Sequence, residues 1–452
     1  MTMSTRLPMS LSSIAILGMG RSGRAVCDKA LALGMDVVCF DDSGKTDYSG
    51  AQFKSPHDWP WDVLDAVIIS PGIAHEFPAP HPAVTLANTH KTPVISEVEF
   101  ALQTTRQGRW VAITGTNGKS TTTALTGHIL RQAGLNAVIG GNIGDPVTGL
   151  PVQDEASIAV IELSSYQLET TPSLDADIRV ILNITPDHLD RHGGWDGYVA
   201  AKQAVLASAT ADQLVILGPG TALDEIAKTH QDQTRIIRLD QACLDQEKQY
   251  RAQAANPALQ GEHNQQNCAA ARLICRELGL LDETINQGIA SFCGLPHRLQ
   301  PAGQYKHIRF VNDSKATNAE AAAKALASFT HIHWCAGGLA KEDGLSACMP
   351  YLGHIQHGYF YGDCAEDFAI AVAGKLDTSL YKSLEQAVAA ATRSAQQTPE
   401  QNQIILLSPA AASFDQFTSF EARGETFCQL AAQQIDYLLA SETAEERTAG
   451  HV

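Results

Sequence analysis

Residues 110–123, WVAITGTNGKSTTT, constrain this chain more than any other stretch, because an apolar run breaks into a glycine-containing loop that ends in Lys119-Ser120. The run predicts a buried strand and the residues after it a helix that starts near Ser120. Gly115 and Gly118 let backbone amides turn toward an anion, and the helix directs its positive end to the same place. Lys119 adds a mobile positive charge, and Ser120 supplies a hydroxyl of the kind that holds a magnesium ion between outer phosphates. Gly115, Thr116, Asn117, Gly118, Lys119, Ser120 and Thr121 therefore form the candidate phosphate loop.

The general phosphate loop has four residues between its glycines, whereas only Thr116 and Asn117 stand between Gly115 and Gly118. This shorter Gly-Thr-Asn-Gly-Lys-Ser-Thr form resembles the ATP loop of the Mur ligases and of folylpolyglutamate synthases, which join an amino acid to a carboxylate.

At 452 residues the chain is too long for one ordinary core, and about 150 residues per domain predicts three. A formal charge of −17, from 32 Lys plus Arg against 49 Asp plus Glu, argues against a broad nucleic-acid surface, which needs clustered cations. The ten cysteines are scattered singly, so neither a disulfide framework nor a structural zinc site is expected. No apolar run approaches the roughly 20 residues of a membrane helix, and the chain is expected to be cytoplasmic, without membrane insertion.

Ile14-Ala15-Ile16-Leu17, then Gly18-Met19-Gly20-Arg21-Ser22-Gly23, a helical stretch, and Val37 to Asp42 make a β-α-β nucleotide fingerprint. Gly18 and Gly20 permit a tight turn and close approach of a diphosphate, and Asp41 sits where a ribose or base is read. By itself this motif suggests NAD and a dehydrogenase; a second nucleotide loop at Gly115 counts against that. Val67-Ile68-Ile69 runs into the turn Ser70-Pro71-Gly72. Later apolar runs at 158–162, 178–183 and 214–217 predict a parallel sheet covered on both faces. Glu162 closes one of these strands, and an acid there is the usual second magnesium contact beside a phosphate loop. The region from 218 to 260 carries few signals and reads as irregular. Four strands, at 310–314, 333–338, 358–362 and 403–409, predict a third open sheet, and the tail after Ala440 is expected to be loose.

Beyond the ATP loop, the blocks Gly140 to Gly144, Glu162-Leu163-Ser164-Ser165, Asp187 to Arg191, Tyr198 to Lys202, Gly261 to Asn264, Leu295 to Arg298, Asn312 to Asn318 and Ser408 to Phe420 stand in Mur ligase order. The whole chain resembles this family, and the last two blocks resemble its D-glutamate-adding branch. The resemblance implies an α/β fold of three domains: an N-terminal Rossmann-like domain over 1–97 for a UDP substrate, a central P-loop ATPase-like parallel sheet over 98–300, and a C-terminal Rossmann-like α/β domain over 301–452 for the amino acid. It implies ATP-dependent ligation of D-glutamate to UDP-N-acetylmuramoyl-L-alanine through an acyl phosphate, in peptidoglycan synthesis, by a monomer. Another Mur ligase activity, an NAD-dependent dehydrogenase and a non-catalytic ATP-binding protein are the alternatives; turnover of ATP or NAD separates them.

The same resemblance implies the remaining site residues. The fingerprint at Gly18 serves UDP, with Arg21 and Ser22 at the diphosphate and Asp41, Asp42 and Gly72 near the uridine. Asn142 and Ser164 orient the muramoyl-alanyl end. Two magnesium ions are implied, one on Ser120 and Glu162, the second on His188 and on Lys202 carried as a carbamate, since an ammonium cannot ligate a cation. Asn267, Arg298 and Asp313 hold ATP between the central and C-terminal domains, which implies closure during turnover. Lys315, Thr317, Lys341, Ser413 and the backbone near Phe420 pair the carboxylates of D-glutamate.

Overall fold

The computed structural model describes residues 11–44, 48–151, 154–232, 234–254, 256–259, 261–340, 344–399 and 401–449. Near-continuous apolar runs build three sheets, and their central strands are buried on both faces, as parallel strands with helices on either side must be.

The first sheet holds β1 (Ser13–Leu17), β2 (Asp36–Phe40), β3 (Gln52–Phe53), β4 (Ala66–Ile69) and β5 (Val94–Ser96), all parallel, in the order β3-β2-β1-β4-β5. Strand order reverses between β1 and β4, so a crevice opens at their carboxyl ends, where Gly18 and Gly72 lie. The second sheet holds β6 (Arg109–Thr114), β7 (Ala137–Gly141), β8 (Ile158–Glu162), β9 (Ile178–Ile181), β10 (Leu214–Leu217) and β11 (Arg235–Arg238). It is also parallel, in the order β11-β10-β9-β6-β8-β7, which puts β6 between β8 and β9. The phosphate loop, Glu162 and Asn183 therefore leave neighbouring strands at one edge.

The third sheet, order β12-β13-β17-β14-β15-β16, comprises β12 (Gln300–Tyr305), β13 (Ile308–Asn312), β14 (Ile332–Gly337), β15 (Ile355–Tyr361), β16 (Thr378–Tyr381) and β17 (Gln403–Leu407). Only the edge strand β12 runs antiparallel to its neighbour.

The chain forms two compact units, 1–256 with 262–292, and 257–261 with 293–452. The first unit contains two sheets, and the helix Glu97–Thr104 shows how they are fastened. Glu97 and Glu99 are both buried. The Glu97 carboxylate accepts from the Thr148 amide, and Glu99 accepts from the Ser173 amide (3.1 Å) and hydroxyl. Ser96 Oγ lies 2.6 Å from Thr171 Oγ1. Burial pushes the Glu97 carboxyl above its usual range.

Several expectations need correction. The stretch read as irregular holds the helices Thr221–His230 and Gln241–Ala254 around β11, whose sequence Arg235-Ile236-Ile237-Arg238 is too short and charged to signal a strand. The third sheet has six strands where four were expected, because β12 and β16 are edge strands only partly buried and lack an apolar run. The tail is not loose through 449: the helix Phe420–Ala449 continues across it, rich in Ala, Gln and Glu that favour helix. All ten cysteines are free thiols.

Candidate active site

The loop after β6 is shaped by its glycines. Gly115 has φ +151° and Gly118 has φ +86°, both unfavourable for a side chain, and Gly118 starts the helix Lys119–Gln132. A Cβ on Gly118 would also lie 2.2 Å from Asn267 Oδ1, so Asn267 closes directly over the loop. It accepts from Thr122 Oγ1 (3.3 Å) and donates to Asn264 Oδ1 (3.0 Å). The other flank is tied to the end of β9: the Thr116 amide donates to Asn183 O (2.9 Å), and the Asn117 amide donates to Asn183 Oδ1 (2.8 Å).

Two lysines converge on this loop. Lys119 Nζ donates to Gly115 O and Thr116 O, both at 2.9 Å, and Lys202 Nζ donates to the same Gly115 O at 2.8 Å. Lys202 is 1% exposed, near the end of the helix Trp195–Gln203. Its Nζ stands 4.7 Å from the centre of the Tyr198 ring, whose hydroxyl lies 3.0 Å from Thr116 Oγ1. Desolvation, reinforced by the charge of Lys119, lowers the Lys202 amine to about 7, with Asp187 and Glu162 opposing. A large share of this amine is therefore neutral near pH 7, the state that reacts with carbon dioxide.

Glu162 ends β8 and is also 1% exposed. Asn142 Nδ2 donates to its Oε1 at 2.8 Å, while Oε2 is buried without a hydrogen-bond partner among the described residues. A buried carboxylate oxygen left unbonded is costly, and a cation is the partner that would satisfy it. Ser120 is buried in the first turn of the helix beside it. His188 sits on a turn with φ +50°, about half exposed, 3.6 Å from Asp187 and 5.4 Å from the Tyr166 ring. No group of three His, Cys, Asp or Glu among the described residues is arranged to hold a metal. Two of the four expected ligands, Ser120 and Lys202, are of residue types outside such a group.

Ser164 caps the helix Ser165–Glu169 in a reciprocal box with Gln167. Thr121 continues the helix that Lys119 begins.

In the first sheet, Gly18 has φ +92°, and its carbonyl accepts from Ser70 Oγ at 3.0 Å, which joins the loops after β1 and β4. Asp41 Oδ2 accepts from the Met19 amide at 2.6 Å, and Oδ1 accepts from the Ser43 amide at 2.9 Å. Asp41 thus shapes the glycine loop itself. Asp42 pairs with His81, Arg21 reaches Gly144 O (3.4 Å), and Gly72 O accepts from Arg191 (3.3 Å). Gly20 and Ser22 lie at the start of the helix Arg21–Ala32.

In the second unit the loops after β13, β14 and β17 meet on Arg423, which is fully buried. Its guanidinium donates to Ser314 Oγ (3.0 Å), Ser314 O (2.9 Å), Gly337 O (3.2 Å) and Ala411 O (3.0 Å). Ser314 Oγ in turn donates to Phe420 O (2.8 Å), and Lys315 Nζ stands 4.9 Å from the Phe420 ring centre. Thr317 lies on the same turn as Lys315, and Ser413 is buried in the loop after β17. Asp313 accepts from Ser408 Oγ (2.8 Å) and the Leu299 amide (3.2 Å), and burial raises its carboxyl to about 7. Arg298 directly precedes Leu299. Lys341 lies outside the described residues. Arg423, Tyr198 and Asn183 escaped sequence reasoning as site residues; Asn183 carried a signal as a polar residue closing an apolar strand, and Tyr198 as the first residue of a block in Mur ligase order.

Residues 113–275 match the Mur ligase middle domain family. The chain is 38% identical to a UDP-N-acetylmuramoylalanine–D-glutamate ligase of Paramagnetospirillum magneticum, over 92% of this chain and 95% of that one. It is 40% identical to the enzyme of that name from Sphingopyxis alaskensis, over 91% and 95%. Among solved structures, a UDP-N-acetylmuramate-alanine ligase from Thermotoga maritima aligns with TM-score 0.57 and 16% identity, over 93% of this chain and 99% of that one, which speaks to fold alone.

Proposed function

Because the chain belongs to the Mur ligase family, among the UDP-N-acetylmuramoylalanine–D-glutamate ligases, we propose that it adds D-glutamate to UDP-N-acetylmuramoyl-L-alanine at the expense of ATP, in peptidoglycan precursor synthesis. The observation that carries this reading is the convergence of Lys119 and Lys202 on Gly115 O beside the half-satisfied Glu162.

A carboxylate is a poor acyl donor, so the alanyl carboxylate first takes the γ-phosphoryl group of ATP. The D-glutamate amine then attacks the acyl carbon, and phosphate leaves with the electron pair of the broken C–O bond. Negative charge gathers on the phosphoryl oxygens during transfer, and the loop amides, the helix start and Lys119 face that charge. Lys119 leaves its loop carbonyls to do so. Asn142 fixes one Glu162 oxygen and leaves the other buried without a hydrogen-bond partner among the described residues. Magnesium, when bound, neutralises phosphoryl charge; Ser120 and Glu162 would hold one ion, and His188 with carbamylated Lys202 a second. Asn267, Arg298 and Asp313 are assigned to ATP, and Asn142 and Ser164 also to the muramoyl-alanyl end.

Gly18, Gly20, Arg21, Ser22, Asp41, Asp42 and Gly72 are assigned to the UDP part, with Asp41 acting by shaping the loop. Lys315, Thr317, Lys341, Ser413 and Phe420 are assigned to D-glutamate. Domain limits near 97 and 300, a monomer and a cytoplasmic location complete the reading; no helix among the described residues is long and apolar enough to cross a membrane.

A coupled ADP assay tests this. ADP release is expected only with both the UDP-muramoyl-alanine substrate and D-glutamate present. Release with L-alanine or meso-diaminopimelate instead, or NAD reduction, would assign the chain elsewhere.

A further inference from the structure

Ser165, His192 and Glu169 form a hydrogen-bonded chain: His192 Nδ1 lies 2.8 Å from Glu169 Oε1, and Nε2 lies 3.0 Å from Ser165 Oγ. This is the side-chain order that activates a serine in hydrolases. The surroundings exclude that use. The His192 side chain is fully buried and Ser165 is 4% exposed. The nearby crevice, lined by Ser70, His75, Tyr166 and Gln167, reaches neither.

The packing points to a different role. The Tyr166 ring stacks on the imidazole at 5.2 Å and 10°, and Tyr198 packs against it at 5.3 Å. Tyr198 then reaches the phosphate loop through Thr116 and underlies Lys202. The helix carrying Lys202 begins tightly against His192: a Cβ on Gly197 would lie 1.8 Å from His192 O. His188 is on the same short turn, four residues earlier, and His192 N bonds back to Leu189 O (3.3 Å). Glu169 also faces His75 of the first sheet's layer at 3.8 Å, and Arg191 reaches Gly72 O.

We propose that His192, held by Glu169 and Ser165 between two tyrosine rings, is a positioning residue for phosphoryl transfer. It fixes the turn carrying His188 and the helix carrying Lys202 against the phosphate loop. This rests on the roles assigned above to His188 and Lys202. The bond to the Glu169 carboxylate is charge-assisted and the stronger of the two, so the Nδ1 side governs.

The test uses the full chain with His192→Asn, His192→Gln, His192→Ala and Glu169→Gln. An asparagine amide falls near Nδ1 and keeps the bond to Glu169; a glutamine amide falls near Nε2 and keeps that to Ser165. His192→Ala is expected to lose about 10- to 100-fold in kcat, the usual cost of removing a group that orients metal ligands. Its KM for ATP is expected to change far less. Amide exchange is expected to quicken across 185–203 and stay unchanged across 119–132, a readout independent of turnover. His192→Asn is expected to recover more of kcat than His192→Gln, and Glu169→Gln to fall between wild type and His192→Ala. Wild-type kcat in His192→Ala, equal loss through KM for ATP, or Gln outperforming Asn would overturn the inference. If His192→Ala does not fold, the order of the Asn and Gln variants decides alone. Wild type without phosphate release would refute the ligase reading instead.

Discussion

The phosphate loop after β6 and the strand-end loops of the third sheet both occupy the carboxyl edge of parallel strands, yet they are held in different ways. Around Gly115 the backbone is the device: two glycines at positive φ turn the loop, and two lysines donate to one carbonyl. Around Arg423 a side chain is the device, since one buried guanidinium donates to carbonyls on all three loops. The first arrangement sets Lys119 and the helix start at the place proposed for phosphoryl transfer. The second uses its charge on structure, and the D-glutamate assignment proposed above falls on Lys315, Thr317 and Ser413 instead.

The contrast is sharpest in turnover. Lys119→Ala and Lys202→Ala are each expected to lower kcat by about 10²- to 10³-fold, as removal of a preorganised electrostatic group does. Near wild-type kcat in Lys202→Ala would remove the carbamate and the contrast with it. Next in size, Ser413→Ala is expected to raise KM for D-glutamate about 10- to 100-fold, with little change in that for ATP, because a desolvated bond to a carboxylate is worth roughly 1.5–3 kcal/mol. Equal effects on both substrates would contradict the separate roles of the two regions.

Arg423→Ala leaves buried acceptors unpaired and is expected to cost about 1–3 kcal/mol in denaturant unfolding of the second unit. Arg423→Lys is expected to recover only part, because a point charge does not reproduce the fork. Loss in the first unit's transition would show the guanidinium is not local in effect.

The contrast extends to pH dependence, where the two regions have opposite slopes. Lys202 falls from 10.5 to about 7 on folding, so the unfolded chain binds the extra proton between these values, and stability rises with pH across that window. Asp313 rises from 3.8 to about 7, so its contribution is complete below 3.8 and is lost as pH climbs through 7. Lys202→Met and Asp313→Asn are each expected to flatten one slope in thermal melts, the first above pH 7 and the second below.

How much could be read in advance follows the same division. Gly115 to Ser120 were legible because backbone chemistry demands glycines, a lysine and a hydroxyl at fixed spacing after a strand. Glu162 and Asn183 were legible as polar ends of apolar strands, although only the former drew a role. Lys202 carries no local signal: it looks like any helix lysine, and only folding against Tyr198 and Gly115 O strips its water. Arg423 was invisible for the same reason, since its four acceptors come from residues 12 to 109 positions away. β11, β12 and β16 escaped because edge strands need only one partner and little apolar surface. The pairing of Asp41 with the Met19 amide shows a motif residue shaping the loop it was expected to complement.

The most direct test follows oxygen. With the alanyl carboxylate of the UDP substrate labelled with 18O, turnover with ATP and D-glutamate is predicted to place one labelled oxygen in the released phosphate and none in ADP. Label found in AMP, or unlabelled phosphate with full product formation, would contradict activation of the carboxylate at the phosphate loop.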